Sequence, residues 1–576
     1  MEHQNARSNN ARRNTEPNLS TFLNDPTLDA KEQIELIDNE IMRVEGQIVR
    51  LVKHRAFLKR RRNTFSPAVK LPPEILAHIF EYACHPNGGE FGDRYYTYFP
   101  SSQLVGGINL GLSVGVGAVT PLFIGTICSA WRNVSKGASQ LWSTLTIHMN
   151  NRNADAQASL LRSWLQLSGN RPLAIKLLED DTTETEHEEE DGGWGIDVSS
   201  TAVIKVLAEH APQWHTIDFF LPSTWRTVLS RVKHRLPMLR NATLRVAESC
   251  PTMVRVDAFA YAPQLQEVHL VGYSIADVNL PWAQLNRLDG EYFGVDECLE
   301  TLRRCTDLQV CQFERAYRGT RPFDAFPITH TTLQSFELIM DSADDLPALF
   351  GAMTLPNLKE IVLSFSDDEP MLREIRPLIR RSNCVLQHVH LVGLTPEEDD
   401  LLDFLKELPM LQVFMLINPV TETGGRLTTR FLDALMPNKR GIAAASNDAN
   451  DDDVDMMQSD DSHDEAQYSC LVPRLQRLEY QGAIGFTPHE LLQFLISRWR
   501  LPTPHSPSHS HPNPTNALPS SPHPHKQQPP ISQLRAVSLT TTRRIRFDSA
   551  DSQTVQALMD EGMFLEFLDD PNAGMY

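Results

Sequence analysis

Residues able to do covalent chemistry are plentiful in this chain, but they do not stand at the spacings such chemistry needs. There is no G-x-x-x-x-G-K-S/T loop to cradle a phosphate, no G-x-G-x-x-G after a strand, no G-x-S-x-G, no H-E-x-x-H and no C-x-x-C pair. The eight cysteines (Cys84, Cys128, Cys250, Cys298, Cys305, Cys311, Cys384, Cys470) are scattered rather than clustered. That usage fits a reducing compartment, so an intracellular protein, cytoplasmic or nuclear, is expected. His505, His509 and His511 have a spacing that could touch a metal, but they sit in a Pro/His-rich stretch whose bias already explains them. No catalytic residue, cofactor or metal is therefore expected. The chemistry left to the chain is non-covalent recognition.

Composition narrows the recognition class. The chain has 576 residues, 41% apolar and 22% charged, which is globular and too long for one average domain. Its net charge of −20 is concentrated in residues 179–191 and 447–465, with nine acids in each run and no Lys or Arg. These runs read as solvated loops that could recruit a basic partner or be phosphorylated near Ser459 and Ser462. The remainder is near neutral, so no nucleic-acid partner is expected. Residues 104–127 are uncharged and carry Gly107, Gly111 and Gly115. Only the part before Pro121 is free of the motif described below, and that is shorter than the ~20 residues a spanning helix needs. No membrane association is expected.

These features need elements to position them. After a leader over 1–30 without the apolar core of a secretory signal, a helix is predicted over 31–64. Ile34, Ile37, Ile41, Val44, Ile48, Leu51, Arg55 and Leu58 alternate by three and four, an a/d heptad seam with Arg55 as its flaw. It fits either a homodimer through 34–58 or an amphipathic helix lying on its own protein. Lys59, Arg60, Arg61 and Arg62 complement the helix C-terminus, or serve nuclear import, and Ser66-Pro67 ends it.

Residues 71–84, LPPEILAHIFEYAC, form a second helix with Pro and Glu in its first turn and one apolar stripe. Residues 121–147, PLFIGTICSAWRNVSKGASQLWSTLTI, add two or three short helices. Together they resemble the F-box, in the F-box-like form common in mushroom-type fungal proteins. The matches are Leu71-Pro72-Pro73-Glu74-Ile75-Leu76, Ile79-Phe80, Ile127-Cys128, Trp131-Arg132-Asn133-Val134 and Leu141-Trp142-Ser143. The chain departs from the compact pattern by an insertion at 85–120. The resemblance implies a module over 68–147 that binds a Skp-family adaptor and through it a cullin. Leu71, Pro72, Pro73, Glu74, Ile75, Ile79 and Phe80 would present the adaptor-binding edge, with Cys128 and Trp131 packed behind it.

From 148 to 576 the sequence returns to L-x-x-φ-x-φ, where φ is apolar. Examples are Leu265-Val268-Leu270, Leu333-Phe336-Leu338 and Leu411-Phe414-Leu416, and the run extends from Trp214-Ile217-Phe219 to Leu534-Val537-Leu539. At Leu285-Leu288 a glycine, Gly290, takes the third place. Helical stretches at 297–305, 371–381, 397–408 and 489–500 alternate with these strands. Strand plus helix at this period is the leucine-rich-repeat signature, so an α/β solenoid of parallel strands and helices is predicted. The ninth repeat position holds Tyr273, Phe293, Ala316, Asp341, Ser366 and Leu394 in place of Asn or Cys, which predicts irregularity. Loops are expected near 179–200, 438–470 and 501–530.

Two functions fit. The first is the substrate-recognition subunit of a Skp-cullin-F-box ubiquitin ligase, whose repeats hold a target protein. Target contacts would then come from strand residues between the buried ones: Glu267, His269, Arg287, Asp289, Gln312, Glu314, Glu337, Glu360, His388, His390, Met415 and Arg477. The second is a repeat scaffold that ubiquitinates nothing, capped by the F-box-like helices. The two differ in whether the Leu71–Phe80 edge is exposed.

Overall fold

A computed structural model describes residues 29–84, 120–149, 153–178, 200–246, 255–319, 326–340, 345–365, 372–418, 426–439, 468–501, 531–541 and 544–569. The leader up to residue 28, the 85–119 insertion, both acidic runs, the three-histidine group, Cys250, Asp341 and Ser366 lie outside these residues. The described chain divides into two compact units, one ending at Trp142 and one beginning at Ser143.

The first unit opens with helix α1, Ala30–Asn63. Asp29 caps it: its carboxylate accepts from the Ala30 N–H at 2.7 Å, and Glu32 reaches back to the Asp29 N–H at 3.3 Å. Arg60, Arg61 and Arg62 fill its last turn, and none of its residues is buried.

Three shorter helices follow: α2 (Pro73–Cys84), α3 (Pro121–Ile127) and α4 (Ser129–Gly137). Helix α2 buries Leu76, Phe80 and Cys84, a stripe at i, i+4, i+8. Thr120 Oγ1 accepts from the Phe123 N–H at 3.0 Å and starts α3. Cys128 does the same for α4, its Sγ accepting from the Trp131 N–H at 3.4 Å. The three are locked by Phe80 against Trp131, ring centroids 5.0 Å apart, by Arg132 Nε donating to the Gly125 carbonyl (2.7 Å), and by Trp142 Nε1 donating to the Ser135 carbonyl (2.7 Å).

The second unit is α/β, built on one large parallel sheet. Its strands are β1 (Thr144–His148), β2 (Leu173–Leu178), β3 (Trp214–Leu221), β4 (Asn241–Val246), β5 (Glu267–Val271), β6 (Arg287–Glu291) and β7 (Val310–Ala316). They continue as β8 (Ser335–Met340), β9 (Glu360–Phe365), β10 (His388–Val392), β11 (Val413–Ile417), β12 (Arg477–Ile484), β13 (Ala536–Thr541) and β14 (Phe564–Asp569). Each pairs in parallel with the next, in chain order from β1 to β14. Such an order needs every crossover to return on the same side of the sheet, the topology of a solenoid.

Helices α5 (Ala154–Ser168), α6 (Ala202–Glu209), α7 (Arg226–Leu229), α8 (Val295–Arg304) and α9 (Leu346–Ala352) lie in these crossovers. So do α10 (Leu372–Ser382), α11 (Glu398–Lys406), α12 (Thr429–Leu435), α13 (Pro488–Trp499) and α14 (Ser549–Asp560). From α9 to α14 each packs on the next, so the helices stack as the strands do.

The buried ladder is the φ-x-φ pattern itself. Val268, Leu288, Cys311, Phe336, Ile361, Val389 and Phe414 stand side by side in register, as do Leu270, Gly290, Phe313 and Leu338, and all the named apolar side chains are buried. Gly290 is not a gap. Its place is filled by the ring of Phe293, whose atoms lie 3.0–3.1 Å from where a Cβ would stand. The ninth-position residues Tyr273, Phe293, Ala316 and Leu394 are all buried.

Two register shifts interrupt the sheet, between Leu173 and Ala174 against β3 and between Phe313 and Ala316 against β8. At the second, Arg315 has φ +50°, turning one residue out of the ladder. Gly393 ends β10 with φ +77°, where a Cβ would meet the Phe365 carbonyl oxygen at 1.8 Å; only glycine fits.

The sequence places residues 144–147 at the end of the helical module; instead they form β1, paired to β2. Strands β1, β2 and β14 extend the sheet beyond the register read from the sequence.

Candidate functional site

Two surfaces collect the candidate residues, one in each unit. In the first, Leu71, Ile75 and Ile79 are 39%, 48% and 48% exposed, and Pro72, Pro73 and Glu74 are exposed beside them. With Tyr82, Ile75 and Ile79 make a stripe at i, i+4 and i+7 on the outer side of α2, away from Leu76 and Phe80, and Leu71 stands just ahead of it in extended backbone. Leu122, Phe123 and Ile127 of α3 are exposed as well. An apolar stripe on so small a helical unit is the kind of surface a partner covers.

Phe80 corrects the sequence reading. It is 2% exposed and packed at a tilt against Trp131, so it belongs to the interior of the three-helix unit and not to the edge. The periodicity explains why: Phe80 lies four residues from Leu76, on the inner face. Cys128 is spent as the cap of α4, and Trp131 supports α2 from behind.

In the second unit the twelve strand residues fall on three adjacent rows running across the sheet. Register places Glu267, Arg287, Glu360, His388 and Arg477 on one row, with Val310, Ser335 and Val413 between them. His269, Asp289, Gln312, Glu337, His390 and Met415 share the next, and Glu314 stands opposite Glu291 on a third. Alternation puts these rows on the face away from the buried ladder.

Side chains of the face brace one another both along their own strands and across to the next. Arg287 Nε lies 3.2 and 3.3 Å from the Asp289 carboxylate oxygens. Gln312 Nε2 donates to Glu314 at 2.7 Å, Ser335 Oγ donates to Glu360 at 2.9 Å, and Arg477 meets Glu479 at 3.1 Å. The His388 hydrogen bond, helped by Ser335, holds the Glu360 carboxyl below the usual range. Glu337 behaves oppositely. Burial first, then the neighbouring carboxylates of Glu314, Asp289 and Glu360, push it up to about 7.

Two of the expected contact residues are enclosed. Asp289 is 8% exposed and His390 3%, the latter held neutral by burial, which lowers its pKa. In a sheet whose strands are about 4.8 Å apart, side chains on flanking strands can close over a short Asp or a His, which position within one strand does not reveal. Enclosed in this way, neither is open to a target. Glu267 and Arg477 are exposed, and His269, Arg287, Gln312, Glu314, Glu337, Glu360, His388 and Met415 are half-buried.

The sequence reading missed a further cluster on β2–β4. Asp218 is buried between Arg245, with two contacts of 2.9 Å, and Lys176 at 3.4 Å. Its signal was present, since Asp218 stands between Ile217 and Phe219 just as Asp289 stands between Leu288 and Gly290.

Among the described residues no group of three or more His, Cys, Asp or Glu could hold a metal. Burial raises the Cys84 and Cys305 thiols to about 12 and pushes Cys298 and Cys311 well above the ordinary thiol value, so these sulfurs stay protonated packing groups. Among the described residues no helix is long and apolar enough to cross a membrane. No family model matches the sequence, and no curated protein matches it.

Proposed function

We propose that the chain is a substrate receptor of a Skp-cullin-F-box ubiquitin ligase, with an F-box-like module holding the adaptor and a leucine-rich-repeat domain holding the target. The observation that carries the reading is the exposed stripe of Leu71, Ile75 and Ile79. It lies on a three-helix unit whose sequence resembles the F-box at both ends, from LPPEIL to the CSAWRNV and LWS segments. That exposure favours an edge open to a partner over a cap that buries it.

Such a receptor supplies no nucleophile. It raises the local concentration of target lysines at a ubiquitin-carrying enzyme, and effective concentrations of the order of millimolar need no new chemistry. The open sheet face suits the second half of the task. Most of its exposed and half-buried side chains are polar and braced by neighbours, so they present a fixed charge pattern at little entropic cost.

The test is binding of a purified Skp-family adaptor to the full chain, wild type beside Ile75→Asp/Ile79→Asp. Both side chains are exposed, so the variant should fold, and circular dichroism checks this. Loss of an apolar anchor from the centre of an interface costs about 2 kcal/mol or more, so at least a thirtyfold weaker complex is expected. A folded wild type that does not bind the adaptor would overturn the reading.

A further inference from the structure

Helix α1 has 34 residues and buries none of them. Every apolar residue of its seam is 40% exposed or more, from Ile34 at 59% to Leu51 at 67%. An isolated helix gains little in water from propensity alone, and a seam of seven large apolar residues at heptad spacing is the pattern that a second helix covers.

The charges identify that second helix. Residues 29–45 carry six acids (Asp29, Glu32, Glu35, Asp38, Glu40, Glu45) against Lys31 and Arg43, whereas residues 46–63 carry seven bases and no acid. The helix dipole accounts for such a bias only in the first and last turns. Here it persists through both halves, so the helix is complementary to itself when reversed.

We infer that α1 is a homodimerisation element and that its two copies pair antiparallel. Aligned by its seam, the reversed pair matches Ile34 with Leu58, Ile41 with Leu51 and Val44 with Ile48 of the second copy. Ile37 then meets Arg55, the one polar residue of the seam, and Arg55 gains the carboxylate of Asp38 alongside. The flanking positions bring Asp38 opposite Lys59 at both ends. A parallel pair does the reverse: it stacks Arg55 on Arg55 in the core and sets Glu40 against Glu45. Like charges facing each other disfavour that alternative.

The test is sedimentation equilibrium of the full chain, 65.1 kDa as a monomer. The wild type is expected at twice that mass. Ile41→Asp/Ile48→Asp is expected as a folded monomer that loses at most the helicity of α1, because neither residue is buried within one copy. Asp38→Lys sets two like-charged pairs in the reversed dimer and should raise its Kd about three- to tenfold. Adding Lys59→Asp should restore it. A monomeric wild type would overturn the inference. A dimer indifferent to Asp38→Lys would overturn the antiparallel register, since in a parallel pair Asp38 faces only Gln33. Gly46→Ala, on the outer face and with nothing within 4 Å, is the control that strengthens the helix without touching the seam.

Discussion

At the scale of single residues, Gly290 and Phe293 exchange the usual roles of two repeat positions. The ring of Phe293 occupies the space a leucine at 290 would fill, at 3.0 Å from a notional Cβ. Gly290→Leu should therefore destabilise the fold by about 1–3 kcal/mol through overpacking, even though it restores the repeat consensus. Phe293→Ala should cost about 3–5 kcal/mol through the cavity it leaves, and the double variant less than the two together. Denaturant unfolding of the three proteins checks this. Glu337 makes a second residue-scale prediction. Its pKa rises from an ordinary 4.5 to about 7 on folding, so the folded state holds the proton more tightly. The stability this contributes is present in full below pH 4.5 and is lost as pH rises through 7. Glu337→Gln should remove that pH dependence and be the more stable protein at pH 8. Thermal unfolding between pH 5 and pH 8 would show the two curves converging at the acid end; parallel curves would contradict the prediction.

At the scale of elements, α13 is fastened by a charge inside the fold. Arg498 is fully buried and donates to the carbonyls of Leu435 at 3.1 Å and Leu475 at 3.0 Å and to Cys470 Sγ at 3.2 Å. It thereby joins the chain on both sides of the acidic 447–465 run to one helix. Arg498→Met keeps the length but leaves two buried carbonyls short of a donor, and should lower stability by about 2–5 kcal/mol in urea melts. The four helices expected over 297–305, 371–381, 397–408 and 489–500 are α8, α10, α11 and α13, because amphipathic period and capping residues declare a helix locally. Strands β1, β2 and β14 were harder to read. Leu145-Thr-Ile147, Ile175-Lys-Leu177 and Leu565-Glu-Phe567 keep the φ-x-φ core, but Trp142, Pro172 and Gly562 stand where the leading leucine is expected. The candidate rows were legible because alternation fixes a side chain's face. The enclosure of Asp289 and His390 was not, because it depends on neighbours brought together by register.

At the scale of the whole molecule, we propose three tasks for the two units. The apolar stripe on α2 would meet an adaptor, the open rows of β5–β12 would meet a target, and α1 would pair two chains. Antiparallel pairing would give two receptors per complex, and bivalent engagement raises avidity wherever the target offers two sites. The central claim is the first of these tasks. Isothermal titration of a purified Skp-family adaptor into the full-length chain tests it most directly, with Ile75→Asp/Ile79→Asp run alongside. The account predicts a saturable complex with one adaptor per chain, lost in the variant. A folded wild type that releases no heat and retains no adaptor on gel filtration, or a variant that binds equally well, would contradict it.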